Sequence, residues 1–354
     1  MGLRGIYVGA DTISYVSTYC SIGNTVIPHN FINWFFPQNV RFENGYLVLN
    51  KLLYSINPNP RFFLIIYPLI CIACLLFMIN KLKIDPIIGI VTYESMFMPF
   101  MMSGVRQALA ISFCMVAFVF AVNRSLLKFL LFTYFALSMH VTAIVFLSVY
   151  LFKYFKDNQK MYVITFGIFV ILIYEFENIF SSLSATITEA DTYSSFVQGN
   201  NTLGWTNIIM SVAVIFLILF LNHQIGPNGV FFKENSSLRH FSVYMLLFTA
   251  GFYVVSLKFS QISRISLYFL IGYYPILTNI FNYLLFCYSN FQARVEWNYS
   301  LCLDVVQKRK ESKVYFFKNL SSKAIVKNGI WMYLLQFFNN VEFLYGFCIV
   351  TARN

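Results

Sequence analysis

Apolar runs of 17 to 25 residues recur along almost the whole of this 354-residue chain. Each is long enough to cross a hydrocarbon core about 30 Å thick at about 1.5 Å per helical residue. They leave no room for a separate soluble domain of about 100 residues. The fold class that follows is an all-α polytopic integral membrane protein, with about 8–10 transmembrane helices.

Composition agrees. Charged residues make up 11% of the chain against 58% hydrophobic, whereas soluble domains carry about 25% charge. A net charge of +11 would suit nucleic acid on a soluble surface, but here the basic residues lie between apolar runs and not on one amphipathic face. No nucleic-acid partner is expected; the bilayer is. The seven cysteines (20, 71, 74, 114, 287, 302, 348) sit mostly in or beside apolar segments. Cys71 and Cys74 have redox-motif spacing without a βαβ context, so they read as packing residues.

Residues 1–60 contain Asp11, Pro28, Pro37, Glu43 and Pro58 but no run long enough to span. They are expected to form an outer loop, in which the amphipathic stretch Tyr46 to Ile56 lies on the interface. No basic start leads into an apolar core, so no signal peptide is read. The 61–290 region is the transmembrane core, with spans expected over 61–80, 84–101, 105–122, 161–175, 203–222, 239–257 and 264–289, the last kinked at Pro275. An outer loop at 175–202, a basic cytoplasmic segment at 291–328 and a last span within 329–354 complete the plan.

The run 126–152 is the awkward one, being about 27 residues long and interrupted near its middle by Ser138, His140 and Thr142. It either crosses once or dips in and returns. Basic residues favour cytoplasmic loops. If the run is re-entrant, nine basic residues (Lys81, Lys83, Arg124, Lys128, Lys153, Lys156, Lys160, Lys233, Arg239) and the eight from Arg294 to Lys327 all lie inside, seventeen of the 25; a single crossing leaves about seven. A re-entrant hairpin with His140 at its tip is therefore expected. The loop from Glu175 to Thr202 then faces out, in keeping with its four acids and no lysine or arginine.

Charged side chains cost roughly 2.5 to 3.5 kcal/mol at the centre of a spanning helix, so those that occur there usually face a wet cavity or a substrate. Arg106 lies in the first turn of a helix starting on the outer side, with Ser103 available as N-cap; Arg264 is placed alike, behind Ser260 and Ser263. Two helix starts, each adding a guanidinium to unpaired N–H groups, make a clamp for phosphate or pyrophosphate. The alternative is that each arginine snorkels to the interface or pairs with an acid. His140 can act as a general base or relieve charge on a leaving group, or else be a packing residue. Tyr268, four residues after Arg264, is expected on the same helical face. Asp11 and Glu43 are the acids of the outer loop, and such acids are usually solvated. The four histidines show no metal-ligand spacing, and no phosphate loop, serine elbow or dinucleotide motif is present.

Several short motifs stand in order: Gly2-Leu3-Arg4, Val8-Gly9-Ala10-Asp11 through Tyr15, Glu43-Asn44-Gly45-Tyr46, Val105-Arg106-Gln107-Ala108-Leu109-Ala110, His140, and Arg264-Ile265 leading to Tyr268-Phe269 and Pro275. In these the chain, from residue 1 to about 290, resembles the EpsG family, which groups with Wzy-type O-antigen and exopolysaccharide polymerases. The resemblance implies a glycosyltransferase at the outer, periplasmic face of a bacterial inner membrane, with a fold like the membrane-embedded glycosyltransferases of the C type. It would join oligosaccharide repeat units carried on undecaprenyl pyrophosphate, with lipid-linked donor and acceptor, no cofactor, no required metal, and a chain-length regulator as a further partner. It also implies roles: Arg106 and Arg264 would hold the departing pyrophosphate, His140 would deprotonate the acceptor hydroxyl or neutralise the phosphate, and Asp11, Glu43, Gln107 and Tyr268 would line the substrate site. Family members carry a spanning helix ahead of the Gly-Leu-Arg stretch, where this sequence opens. An O-antigen ligase, a lipid-linked sugar transporter and a membrane acyltransferase compete as readings, the ligase being nearest in chemistry.

Overall fold

A computed structural model describes Gly9 and residues 11–21, 42–184, 205–225, Phe232, 235–257 and 262–289. The basic segment from 291 to 328 and the final span within 329–354 lie outside the described residues, as does most of the expected loop 175–202. The described elements are all helical. They are α1 (Thr12–Ser21), α2 (Asn44–Ile56), α3 (Pro60–Leu82), α4 (Pro86–Ser103), α5 (Val105–Val122), α6 (Leu126–Met139), a 3-10 helix over Val141–Tyr154, α7 (Gln159–Ser184), α8 (Trp205–Ile225), α9 (Ser236–Val255) and α10 (Ser263–Ser289). Four of them, α3, α5, α9 and α10, are long and apolar enough to cross a membrane, and several shorter apolar helices accompany them. The chain is a polytopic all-α membrane protein.

The bundle is built around α5, the most buried of those four helices. Ala108, Ala110, Ser112, Ala117 and Ala121 give it a small-residue surface that lets neighbouring backbones approach closely. It packs against α3, α4, α6, the 3-10 helix, α9 and α10. Hydroxyls on these helices are satisfied one turn back: Ser112 donates to the Ala108 carbonyl at 2.8 Å and Thr133 to that of Phe129 at 2.8 Å. That is how a polar side chain avoids a cost of several kcal/mol away from water.

Local signals set the ends. Asn59 accepts the Arg61 N–H to open α3, Pro60 stands at its first position, and Lys83 closes it at φ +55. In α10 the backbone tightens into a 3-10 turn at Leu270–Gly272. Pro275 cannot donate to the Ile271 carbonyl within that turn, so the interruption falls one turn ahead of the proline. Helix α7 runs on to Ser184, past the expected boundary at 175; glutamates end an apolar window without ending a helix.

The run 126–152 breaks at His140, whose backbone is extended (φ −157, ψ 123) between α6 and the 3-10 helix. In the second half the buried residues are Ala143, Phe146, Val149 and Phe152, every third one, as three residues per turn requires. The halves lie side by side. Phe129 in α6 sits 6.2 Å from the Phe146 ring and 5.2 Å from that of Tyr150, whose hydroxyl donates to the Arg124 carbonyl at 3.2 Å. Residues 129 and 150 would stand about 30 Å apart along one straight helix.

Helix α2 forms where the amphipathic stretch suggested, but its buried side (Asn44, Gly45, Tyr46, Leu47, Asn50 and Leu53) packs on α1, α3 and α6. Gly45 makes the tightest of these approaches: a Cβ there would stand 2.4 Å from Ser138 Oγ. Gly9, at φ +100, lies against the Met102 carbonyl, which also accepts from Thr12 Oγ1 at 3.2 Å. The first helix is thereby pinned to the end of α4, one turn from Arg106.

Candidate functional site

Three segments far apart in sequence meet at one carboxylate. Glu43 Oε2 accepts from Arg106 Nη1 at 2.5 Å, and Glu43 Oε1 pairs with His140 Nδ1 at 2.7 Å and accepts the Val141 N–H at 3.2 Å. The Glu43 side chain is 12% exposed, those of Arg106 and His140 about a fifth. Glu43 stands at the N-cap of α2 yet makes no side-chain bond to its own helix. Its carboxylate reaches across instead and caps the first N–H of the 3-10 helix, where an orphan donor and the positive end of the helix dipole favour an anion.

The ordinary expectation for an outer-loop acid, solvation, therefore fails for Glu43. Burial works to raise its pKa, but the hydrogen bond and charge of His140 and the charge of Arg106 outweigh this and lower the carboxyl to about 2. An ionised carboxylate can only accept, so His140 Nδ1 must carry its hydrogen. That leaves Nε2 as the basic nitrogen whenever the ring is neutral.

Arg106 is held from several sides. Its guanidinium carbon lies 4.7 Å from the centre of the Phe42 ring, within cation–π range, and its charge acts on the Tyr15 phenol of α1. Burial raises the Tyr15 pKa and Arg106 pulls it back, so the phenol stays neutral. Gly104, not Ser103, is the N-cap of α5 and has no side chain to cap it; Ser103 is the last residue of α4. In α10 the N-cap is Ile262, again without a side-chain cap, and Ser263 is already helical. Ser260 lies outside the described residues.

The remaining candidates divide. Gln107 Nε2 donates to the Arg264 carbonyl at 2.7 Å, which lays the start of α10 against the start of α5. The Arg264 side chain is exposed, and among the described residues no ion pair engages it. Tyr268 is fully buried, its hydroxyl 2.9 Å from Thr142 Oγ1, so it does not share an exposed face with Arg264. Asp11 is exposed at the head of α1, and among the described residues no hydrogen bond joins its side chain to Arg106, Glu43 or His140. Sequence reasoning gave no site role to Tyr15, Thr142 or the Gly45–Ser138 approach, although Tyr15 and Gly45 stand in the quoted motifs and Ser138 and Thr142 interrupt the 126–152 run. His240, which showed no ligand spacing, bonds the Phe152 carbonyl at 2.7 Å and is a packing residue.

The arrangement offers an oriented imidazole, a guanidinium paired to the same carboxylate and an exposed guanidinium at the start of α10. Neither the curated proteins nor the solved structures contain a match to the chain. The model of the EpsG family does match, over residues 1–295, a span that holds every residue of this site. That match covers well over half of the 354 residues, and the chain belongs to the EpsG family.

Proposed function

We propose that this protein is a polysaccharide polymerase of the O-antigen or exopolysaccharide kind, moving a growing oligosaccharide from undecaprenyl pyrophosphate to a lipid-linked repeat unit. The observation that carries the reading is the Glu43–His140 pair, in which an ionised carboxylate fixes the tautomer of an imidazole at the break between two helices. A dyad of this kind suits general-base work. His140 Nε2 takes the proton of an acceptor hydroxyl, and the oxygen attacks the anomeric carbon. The bond from that carbon to pyrophosphate breaks, and its electron pair leaves with the phosphate. Arg264, exposed at the start of α10, and Arg106 supply the positive charge that the departing diphosphate needs in the transition state. No metal and no cofactor has a step in this scheme.

The topology belongs to the same proposal. The hairpin over 126–154 is re-entrant, entering from the cytoplasmic side, so that His140, Arg106 and Arg264 face the periplasm. Outer residues 1–60 and the loop after α7 lie on that side; the basic segment 291–328 lies in the cytoplasm, and further spans bring the total to about 8–10. A chain-length regulator is a natural partner, and the fold is of the C-type glycosyltransferase kind.

In a strain lacking the native gene, His140→Ala should insert normally and leave surface glycan of a single repeat unit. Arg264→Ala should do the same through loss of the leaving-group cation. Full-length polymer ladders from both variants refute the assignment. A ligase would instead leave free polymer on its lipid carrier, and a transporter would leave the repeat unit on the cytoplasmic face.

A further inference from the structure

Gln107 and Tyr268 look from the sequence like residues that touch substrate, but each uses its polar group inside the protein. Tyr268 is fully buried with its hydroxyl on Thr142, two residues beyond His140. Gln107 is 4% exposed with its amide on the Arg264 carbonyl, and it follows Arg106 directly. Both bonds thus join α10 to another part of the site, one beside the imidazole and one beside the guanidinium.

The first stretch of α10 needs such ties. Seven residues, Ser263–Phe269, form regular α-helix before the backbone tightens at Leu270–Gly272. Its N-cap residue, Ile262, offers no side-chain cap. Its buried contacts are apolar, among them Phe269 against Phe146 at 6.4 Å, Phe248 at 5.3 Å and Phe252 at 5.4 Å. Apolar surfaces are non-directional and tolerate sliding, whereas a buried amide or phenol that loses its partner carries a desolvation penalty. The two polar bonds therefore select one register.

We infer that Gln107 and Tyr268 are positioning residues, which hold the leaving-group cation of α10 in register with the base at His140. The inference rests on the roles proposed above for His140 and Arg264. A substrate ligand and a positioning residue differ in kinetics. Loss of the first weakens binding; loss of the second misplaces reacting groups that still bind.

The experiment uses the full chain in lipid nanodiscs and the lipid-linked oligosaccharide that accumulates in cells lacking the gene, with release of undecaprenyl pyrophosphate as the readout. Tyr268→Phe and Gln107→Met should each lower kcat about 10- to 100-fold while KM stays within about twofold. Thr142→Val should match Tyr268→Phe, the double variant should be no worse than either single one, and Thr142→Ser, which restores the hydroxyl, should recover most of the rate. The threonine pair changes one atom of similar size, so it reads the bond even if a bulkier change perturbs folding. A raised KM with kcat intact, or full rates in Thr142→Val and Gln107→Met beside an inactive His140→Ala, overturns the inference and leaves the proposed chemistry standing. An undiminished His140→Ala overturns both.

Discussion

Glu43→Gln removes one charge from the centre of the site while keeping its shape. Holding a carboxyl at about 2 and not near 4.5 corresponds to about 3 kcal/mol at neutral pH, shared between its two partners. Glutamine keeps one acceptor oxygen, enough for either His140 or Arg106. Its amide donors face whichever partner is left, itself a donor, so Arg106 stays largely buried without an anion. Breaking such a pair on one side costs about 3 to 5 kcal/mol, which brackets the first figure. The lowered pKa also fixes the sign with pH: the stabilisation is complete above about 4.5 and drains away as pH falls towards 2. Across pH 5 to 8 the carboxylate of the parent stays ionised, so the deficit of Glu43→Gln should persist throughout. Unfolding free energy of the full chain in bilayer discs, read by steric trapping at pH 5, 6.5 and 8, checks both points. Turnover should fall by up to about 10⁴, the loss that follows when an imidazole is deprived of its orienting carboxylate. A variant within 1 kcal/mol of the parent that still makes full-length polymer, or a deficit that vanishes at pH 5, refutes the bridging role.

Gly45→Ala places a Cβ 2.4 Å from Ser138 Oγ and 2.7 Å from the Ser138 carbonyl, so α2 and the hairpin must part; a loss of about 1 to 3 kcal/mol is expected, with turnover falling further than stability because Glu43 lies two residues away. Equal wild-type values for both would remove the tight approach from consideration. A cysteine placed at Asn158 should react with an impermeant thiol reagent only from the cytoplasmic side; labelling from the periplasm alone contradicts the re-entrant hairpin.

Much of this architecture was readable from residue order. The limits of α3 and α5 follow from apolar windows ending at Lys81 and at Asn123, and the break at His140 follows from three polar residues near the middle of a long apolar run. The site was only half readable. Arg106 and His140 stand out because charge and polarity are rare in apolar helices, a contrast visible one residue at a time. Glu43 has no such contrast in a mixed loop, and its partners are 63 and 97 residues away, beyond any periodicity. Ser103 misled for a related reason: a serine ahead of an apolar run reads as a cap, but here the preceding helix continues through it and glycine takes the turn. Whether Tyr268 faces Arg264 or the core depended on packing against the hairpin, which spacing alone does not encode.

The wide separation of Glu43 from its partners bears on how the protein is made. The carboxylate leaves the ribosome before either of them, and α3 and α4 are made before Arg106 follows. His140 comes later still, at the tip of the hairpin. Until Ser138 follows, α2 has no serine-bearing surface to receive Gly45, and until Arg106 follows, the first segment carries an acid with no counter-charge. Long-range contacts of this sort close late, after the loop entropy between them has been overcome. A chain arrested before residue 140 would therefore hold its arginine and its acid together but have nothing that could take a proton.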